Sequence, residues 1–242
     1  MTKSILVGIL MLFPLLSRGQ LSTSEFRDAA SCGPYPLYFG VGYGHSWQMA
    51  EVEEISAAFF QNQKVRHRLL GVNGMVGASI IPKDSKVSYF VEVNFHVYSR
   101  NMRGELGRFT MSMDQLSLGG GVRYVIAPLF VIQGQVGSIL LHNRKYNYRD
   151  ASTLIEIHED KNHFNEYTAK VRLSLLDPAG TEGGLGFYVE WGYNWLHKEG
   201  RESEVSDAVK MFDPGFDREI SSTRRYGYFS AGIIVPFALR YK

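Results

Sequence analysis

Five charged side chains stand at alternate positions within runs of apolar and small polar residues. They are Glu92, Arg123, Lys170, Arg172 and Glu190. Carboxylates and cations in similar number can pair with one another in a closed interior, or they can line a path for ions. A buried charge is costly unless it is paired and hydrogen-bonded. We therefore predict a packed, self-neutralising structural network, and a narrow pore stays open as the alternative.

Histidines near hydroxyl groups are the candidates for catalysis. His45 adjoins Ser46, His96 has Ser99 close by, and His142 opens a polar segment. A histidine can remove a proton from a hydroxyl when an acidic partner orients its ring. The sequence contains no compact His-x-Ser pair with a suitably placed downstream Glu, so we interpret these histidines as polar residues near strand ends. No catalytic residue is assigned.

The segment EIHEDKNH (156–163) is the candidate for metal binding, because it groups His158, Glu159, Asp160 and His163. Such side chains can hold a divalent cation. A solvated polar loop explains the same composition, so the sequence predicts neither a metal site nor a cofactor.

The elements that position these residues are β-strands. In VSYFVEVNFHVYS (87–99), apolar residues alternate with mostly polar ones, so the two kinds leave opposite faces of a strand. The pattern recurs at 37–47, 69–81, 115–127, 129–141, 164–176, 185–196 and 227–241. Short connections at 82–86, 127–128 and 177–184 alternate with long polar ones at 48–68, 100–113, 142–163 and 197–225. This arrangement predicts an all-β, eight-stranded, antiparallel up-and-down barrel with its long loops at one end.

Which face is dry follows from the residue types. The polar face holds many glycines and both signs of charge, which suit the narrow interior of a small barrel. The apolar face holds tyrosines and tryptophans near strand ends, where one side chain can meet both lipid and water. These features predict a transmembrane barrel whose apolar face meets lipid. The alternative is a secreted, lipocalin-like, ligand-binding barrel, in which the apolar face would line the interior and the polar face would meet water.

The first residues indicate export. Lys3 precedes the apolar run 5–16, and Ser17-Arg18-Gly19 matches a cleavage site, so we predict a signal peptide at 1–19. We further predict a periplasmic segment at 20–36 and an outer-membrane barrel domain at 37–242. Cys32 is the only cysteine, which excludes an intrachain disulfide framework. The formal net charge of +2 is too balanced for a nucleic-acid binder.

The chain resembles the small outer-membrane β-barrels of the OmpA and OmpX type. The resemblance covers residues 37–242 and rests on eight strands, alternating loop lengths and the predicted signal peptide. It implies a Gram-negative outer-membrane location, short periplasmic turns and long extracellular loops. The terminal aromatic residue usual in such proteins is displaced by one position, since Lys242 follows Tyr241.

The function predicted from the sequence is a structural or interaction role, with the barrel interior closed by side chains. Binding through loops, or service as a small subunit of a larger outer-membrane complex, fits this role. Met211, Phe212 and Phe216 are the candidate partner contacts, because apolar side chains in a long charged loop can anchor a partner. The basic residues Lys64, Arg66, His67, Arg68, Arg224 and Arg225 either meet phosphates of lipopolysaccharide or are ordinary boundary charges. A lipid-A-modifying enzyme, acting by acyl transfer or deacylation, is the alternative.

Overall fold

The computed structural model describes most of the strands and little of the connections between them. The described residues are 37–47, 54, 68–80, 85–104, 107–127, 130–149, 154–161, 166–175, 185–196, 206, 207, 209, 210, 215, 217 and 225–237. Nine strands lie within them: β1 (Leu37–Trp47), β2 (Leu70–Ile80), β3 (Val87–Gly104), β4 (Gly107–Ala127), β5 (Phe130–Arg149), β6 (Leu154–Lys161), β7 (Glu166–Leu175), β8 (Gly186–Trp195) and β9 (Arg225–Phe237). In these ranges, no helix combines the length and the apolar character needed to cross a membrane.

Eight of these strands form a closed ring. Each pairs antiparallel with its neighbours in the order β1-β2-β3-β4-β5-β7-β8-β9, and β9 returns to β1. Consecutive strands of the ring are neighbours throughout, which is the up-and-down topology, and closure leaves no unpaired edge around the ring. The predicted eight-stranded antiparallel barrel is confirmed.

Two of the predicted long loops are wrong. The segments 100–113 and 142–163 are largely strand, because β3 continues to Gly104, which pairs with Gly107 at the start of β4, and β5 continues to Arg149. β6 pairs with the end of β5 alone, from His142↔Lys161 to Arg149↔Leu154. These strand ends and β6 form a four-stranded extension that continues the barrel wall beyond β2 (hereafter the extension: 99–104, 107–114, 142–149 and 154–161).

The two faces of the barrel wall have opposite polarity, and the apolar face is outside. On β3, Val91 exposes 56% of its surface while the adjacent Glu92 exposes 1%. Val93 and Val171 are also exposed, so these valines do not meet in a shared core. Exposed aromatic rings mark both ends of the apolar surface, with Tyr89 and Tyr124 near the short turns. Tyr43, Tyr167 and Trp195 lie toward the other rim.

The height of the apolar surface matches a bilayer. On the outward face of β3 the apolar residues run from Val87 to Val97, which is ten residue steps. Ten steps make about 34 Å of strand, or about 26 Å along the membrane normal at a tilt of about 40°. Transmembrane barrels carry an apolar band about 25 Å tall. The barrel therefore has the dimensions and the polarity of a membrane-spanning one.

Candidate functional site

Glu92 is the centre of a charge network inside the barrel. Its carboxylate accepts two hydrogen bonds from Arg172, Nη1 to Oε2 at 2.6 Å and Nη2 to Oε1 at 2.8 Å. Lys170 Nζ reaches Glu92 Oε1 at 2.7 Å, and the Tyr38 hydroxyl donates to Oε2 at 2.8 Å. A two-pronged guanidinium–carboxylate pair is the strongest geometry that these groups can adopt. Gln133 Nε2 on β5 also donates to Oε2, at 3.5 Å, so Glu92 is held by donors from three other strands, β1, β5 and β7.

Glu190 supplies the second negative charge of the network. Arg172 Nε donates to Glu190 Oε2 at 2.8 Å, and Lys170 Nζ lies 3.1 Å from the same oxygen. The two carboxylates and these two cations have formal charges that cancel. All four side chains are at most 2% exposed, so water does not screen their attraction. The pairs with Glu190 join the neighbouring strands β7 and β8, whereas the pairs with Glu92 cross the lumen, because β3 and β7 are not neighbours in the ring.

Arg123 is placed inside the barrel but lies apart from these ion pairs. Its Nη1 donates to Ser79 Oγ at 3.0 Å, and its guanidinium stacks on the ring of Tyr38, 4.7 Å from the centroid. The Tyr38 hydroxyl in turn donates to Glu92, so Tyr38 links Arg123 to Glu92. The structure therefore brings four of the five predicted charges into direct contact and joins Arg123 through a tyrosine.

A second set of bridges crosses the lumen nearer the long-loop rim. The Tyr226 hydroxyl on β9 donates to Gln115 Oε1 on β4, and Asn194 Nδ2 donates to the same oxygen at 3.4 Å. β4 and β9 are four places apart in the eight-membered ring, so this contact joins opposite walls. On the other side of the lumen, Asn73 Nδ2 donates to the Tyr188 hydroxyl at 2.9 Å. Side chains thus span the interior at more than one level.

Two glycines on the inner face make room for the tyrosines of the lumen. A Cβ at Gly77 would overlap the ring of Tyr38, and a Cβ at Gly192 would overlap the ring of Tyr228. At both positions, the glycine on one strand leaves the space that the tyrosine ring of the neighbouring strand fills. The excess of glycine on the polar face is therefore a packing requirement of the narrow interior.

The three histidines do not form the catalytic pairs considered from the sequence. His45 faces outward and lies against Trp47 and Phe229, whereas Ser46 faces inward and is buried. His96 faces inward, 3.1 Å from the Tyr98 hydroxyl, whereas Ser99 is exposed on the other face. An odd separation along a strand puts each histidine and its serine on opposite faces.

His142 is different because it contacts a carboxylate. Its Nδ1 lies 3.3 Å from Glu166 Oε2, and its Nε2 accepts a hydrogen bond from Arg144 Nε at 3.3 Å. A catalytic histidine needs the second nitrogen for the hydroxyl that it deprotonates. Here Arg144 occupies that nitrogen, so the pair is arranged as a structural contact inside the base of the extension.

The extension exchanges the polarity of its two faces relative to the barrel. Below the row Phe95–Leu116–Leu141 the outward face is apolar and the inward face is polar. Beyond that row the outward face is polar on β4 and β5, and on β3 it becomes polar after Val97. The inward face there carries six buried apolar side chains: Tyr98, Met102, Phe109, Met111, Met113 and Tyr146. Arg100 Nη1 donates to the Arg68 carbonyl at 3.2 Å, which ties the extension to the start of β2. The extension thus has a mainly apolar inner face above the polar base at His142 and Arg144, and a polar outer face, as a water-soluble sheet does.

Several residues predicted as sites fall outside the described part of the chain. These are Met211, Phe212 and Phe216, together with Lys64, Arg66, His67, His163 and Arg224. Of the basic residues predicted at the rim, Arg68 and Arg225 are described, and both are exposed. His158, Glu159 and Asp160 belong to strand β6, a strand where a loop was predicted. No group of three or more potential metal ligands lies among the described residues.

The sequence interpretation missed the uncharged members of the network. Tyr38, Asn94 and Asn73 contribute hydrogen bonds to it or beside it, and Lys170 Nζ lies 2.5 Å from Asn94 Oδ1. A signal was present, because Tyr38 shares its register with Gly40, Gly42 and Gly44 and therefore faces the lumen. An aromatic residue on a glycine-rich face indicates a ring that fills the space those glycines leave.

Comparison with known proteins finds likeness at the level of solved structures alone. No protein-family model matches the chain, and no curated protein matches it. One similar structure is Ail, the attachment invasion locus protein of Yersinia pestis, in complex with the heparin analogue sucrose octasulfate. It has 10% identity and a TM-score of 0.43, with 82% of this chain and 96% of that chain covered.

Two other solved structures are similar at the same level. Neisserial surface protein A has 10% identity and a TM-score of 0.37, with 84% of this chain and 97% of that chain covered. The outer-membrane protease OmpT of Escherichia coli has 8% identity and a TM-score of 0.40, with 83% and 96% covered. The fold assignment rests on the closed ring of strand pairings described above.

Proposed function

We propose that this protein is an outer-membrane β-barrel of a Gram-negative envelope with a structural or interaction role. Its lumen is closed by side chains, and its extension is presented outside the cell. In this proposal the short turns and both termini lie in the periplasm, and the signal peptide at 1–19 directs export. Residues 20–36 form the periplasmic segment that precedes the barrel domain at 37–242.

The observation that carries the proposal is the polarity exchange at the row Phe95–Leu116–Leu141. The outward face changes from apolar to polar within one outward position of this row on three adjacent strands, and on β4 the inward face changes from polar to apolar at Met113. A protein surrounded by water would gain nothing from an apolar outer band about 26 Å tall below that level. A barrel that leaves lipid and enters water at this row needs both changes. We therefore assign the end of the barrel that carries the extension to the outside of the cell, and the end with the short turns to the periplasm.

The closed lumen favours a structural or interaction role over conduction. An ion entering the barrel would meet the salt bridges at Glu92 and then the Gln115–Tyr226 contact that joins opposite walls. Opening a path would require breaking buried ion pairs, which costs several kcal/mol. A secreted, lipocalin-like, ligand-binding barrel is also disfavoured, because its interior would have to be apolar and this interior is charged.

The alternative of a lipid-A-modifying enzyme is not favoured by the described residues. Such an enzyme needs a histidine with one nitrogen toward an acid and the other toward a hydroxyl. His142 satisfies the first condition with Glu166 and not the second, because Arg144 donates to its other nitrogen. Exposed Arg68 and Arg225 at the rim are proposed instead as contacts for phosphates of the surrounding lipopolysaccharide.

Site-directed labelling of intact cells tests the location and the orientation together. In a Cys32→Ser background, a single cysteine is introduced at Asn101 on the extension or at Ser85 beside a short turn, both of which are exposed. We expect a membrane-impermeant maleimide to label Asn101→Cys in intact cells and to label Ser85→Cys only after the outer membrane is permeabilised. The opposite pattern would reverse the orientation, and recovery of the protein in the soluble periplasmic fraction would refute the proposal.

A further inference from the structure

A groove lies in the outer surface of the barrel wall, across strands β4, β5, β7 and β8. It has a volume of about 700 Å³, with the small residues Gly120, Gly134 and Ala169 at its base and Val136 and Trp191 beside them. The two glycines leave the space open: a Cβ at Gly134 would have no neighbour within 4 Å, and one at Gly120 would meet a single backbone oxygen. All five residues lie in the outward register of their strands. The groove therefore faces the lipid and is separate from the filled lumen.

The strand pairings fix the height of the groove in the barrel wall. A row of paired residues that starts at Val87 passes once around the eight strands and returns to β3 at Val97, ten residues higher. Each strand passed thus raises the row by about 3 Å along the membrane normal, and each two residues along a strand add about 5 Å. On this scale Gly134 lies about 12 Å and Ala169 about 20 Å above Val87. The groove therefore runs from the middle of the apolar band toward the end that carries the extension.

Arg225 lies at the upper end of a vertical line through this groove. It stands on β9, six residues above Ala231 of the same row, which places it about 32 Å above Val87 and about 6 Å above the apolar band. Strands tilt to one side and the rows of paired residues climb to the other, so the sideways displacements nearly cancel. Gly134, Ala169 and Arg225 thus lie within about 3 Å of one vertical line. The acyl chains of a bilayer run in the same direction.

Arg225 is suited to a lipid phosphate at that height. Its side chain is exposed, and the residue paired with it on β8 is Trp195. The sequence has no acidic residue from Ile220 to Phe237. The nearest acidic residue before Arg225 is Glu219, six positions away, and the nearest beyond Trp195 is Glu199, four positions away. A guanidinium at the lipid–water boundary can donate paired hydrogen bonds to phosphate oxygens.

From the alignment of this groove with Arg225, we propose that the barrel wall holds one acyl chain of a phosphorylated lipid of the outer leaflet, whose phosphate pairs with the Arg225 guanidinium. An apolar groove inside the membrane is filled by an acyl chain or by an apolar protein surface, because the bilayer core holds no water. The vertical course favours the acyl chain, since the strands of a neighbouring barrel would cross that line at about 40°. The proposal rests on the outer-membrane location and the orientation proposed above.

Quenching of Trp191 fluorescence by brominated lipids tests the proposal, because Trp191 lines the groove. The full-length protein with Trp47→Phe and Trp195→Phe keeps Trp191 as its one tryptophan. It is placed in phosphatidylcholine vesicles that contain either brominated phosphatidic acid or brominated phosphatidylcholine. We expect phosphatidic acid to bind at least about threefold more tightly, because its phosphate carries no choline. Arg225→Ser should remove that preference, whereas the control Arg68→Ser, at an exposed arginine beside the start of β2, should retain it.

A matched pair of leucine variants tests the groove itself. Gly134→Leu fills the groove, and Gly74→Leu adds the same side chain to the outward face of β2, where a Cβ would also meet no side chain within 4 Å. We expect Gly134→Leu to lower the affinity of both brominated lipids at Trp191 by at least about twofold, and Gly74→Leu to leave it unchanged. A heat-dependent shift in gel mobility equal to that of the unaltered protein checks that each variant has folded.

Three outcomes would overturn the proposal. Equal affinity of the unaltered protein for the two lipids, or a preference that survives Arg225→Ser, would exclude the phosphate contact. Equal effects of the two leucine variants would mean that lipid packs against the whole wall without a preferred groove. Cross-linking between two copies in the vesicles that Gly134→Leu abolishes would assign the groove to a second copy of the chain. Because the vesicles supply the same lipids at both ends of the barrel, a failure here is separate from a failure of the cysteine-labelling experiment.

Discussion

Replacement of Glu92 by glutamine should destabilise the barrel strongly. The carboxylate accepts hydrogen bonds from Arg172 and Lys170 at 2.6–2.8 Å, and its side chain is fully buried. In Glu92→Gln, the two positive charges of Arg172 and Lys170 face a single negative charge, that of Glu190. One positive charge is then buried without a counter-charge. Removing one partner of a buried ion pair costs about 3–5 kcal/mol, and we expect the free energy of unfolding to fall by that amount.

A double variant separates charge balance from lost packing. Glu92→Gln combined with Lys170→Met removes one charge of each sign, while Arg172 keeps its contacts with Glu190 at 2.8 Å and closer. Because the remaining pair is neutral, we expect the double variant to lie within about 2 kcal/mol of the unaltered protein, and therefore to be more stable than Glu92→Gln alone.

Reversible unfolding by urea in lipid vesicles, followed by tryptophan fluorescence, provides the measurement, with Trp191 and Trp195 as reporters on β8. Lys170→Met alone completes the cycle of variants. A loss below about 1 kcal/mol in Glu92→Gln would refute the reasoning, because such a value is typical of exposed pairs in water. It would mean that water fills the lumen and screens the network. Additive losses in the double variant would instead mean that packing, and not charge, holds these residues.

The remaining predictions concern packing, the lipid boundary and conduction. Gly192→Ala should reduce the folding yield, because the added methyl group would overlap the ring of Tyr228. The control Gly134→Ala has open space at its Cβ and should fold with unchanged stability. Recovery of heat-modifiable protein measures the folding yield of both variants. Val91→Arg places a charge within the apolar band and should cost about 2–4 kcal/mol in the urea assay, whereas Asn101→Arg on the extension should change stability by less than about 0.5 kcal/mol. Equal effects would contradict the proposed boundary. In planar bilayers the unaltered protein should show no stable channel, because side chains close its lumen at more than one level. Steady conductance by the unaltered protein would refute the closed lumen.

Much of the barrel was predictable because strand alternation is a local property. In Val87–Ser99 the alternation of apolar and polar residue types alone indicates which side chains share a face, and the same is true of Glu166–Leu175. The identity of the lumenal charges followed from the same register. The predicted loops at 100–113 and 142–163 were wrong because the apolar register changes phase there: Phe109, Met111 and Met113 stand on the side that had been polar below them. A pattern with period two persists through that change, but its assignment to lipid or lumen does not.

The sequence by itself determined which residues share a face, since successive side chains of a strand point in opposite directions whatever surrounds it. The tertiary structure decided which distant residues meet. Glu92 contacts Arg172 because ring closure brings β3 and β7 to opposite sides of one narrow lumen, and no local pattern encodes that distance. Ring closure also brought Gln115 of β4 within hydrogen-bonding distance of the Tyr226 hydroxyl on β9. Contacts across a barrel depend on the pairing register and the strand number together, and these are properties of the closed sheet as a whole.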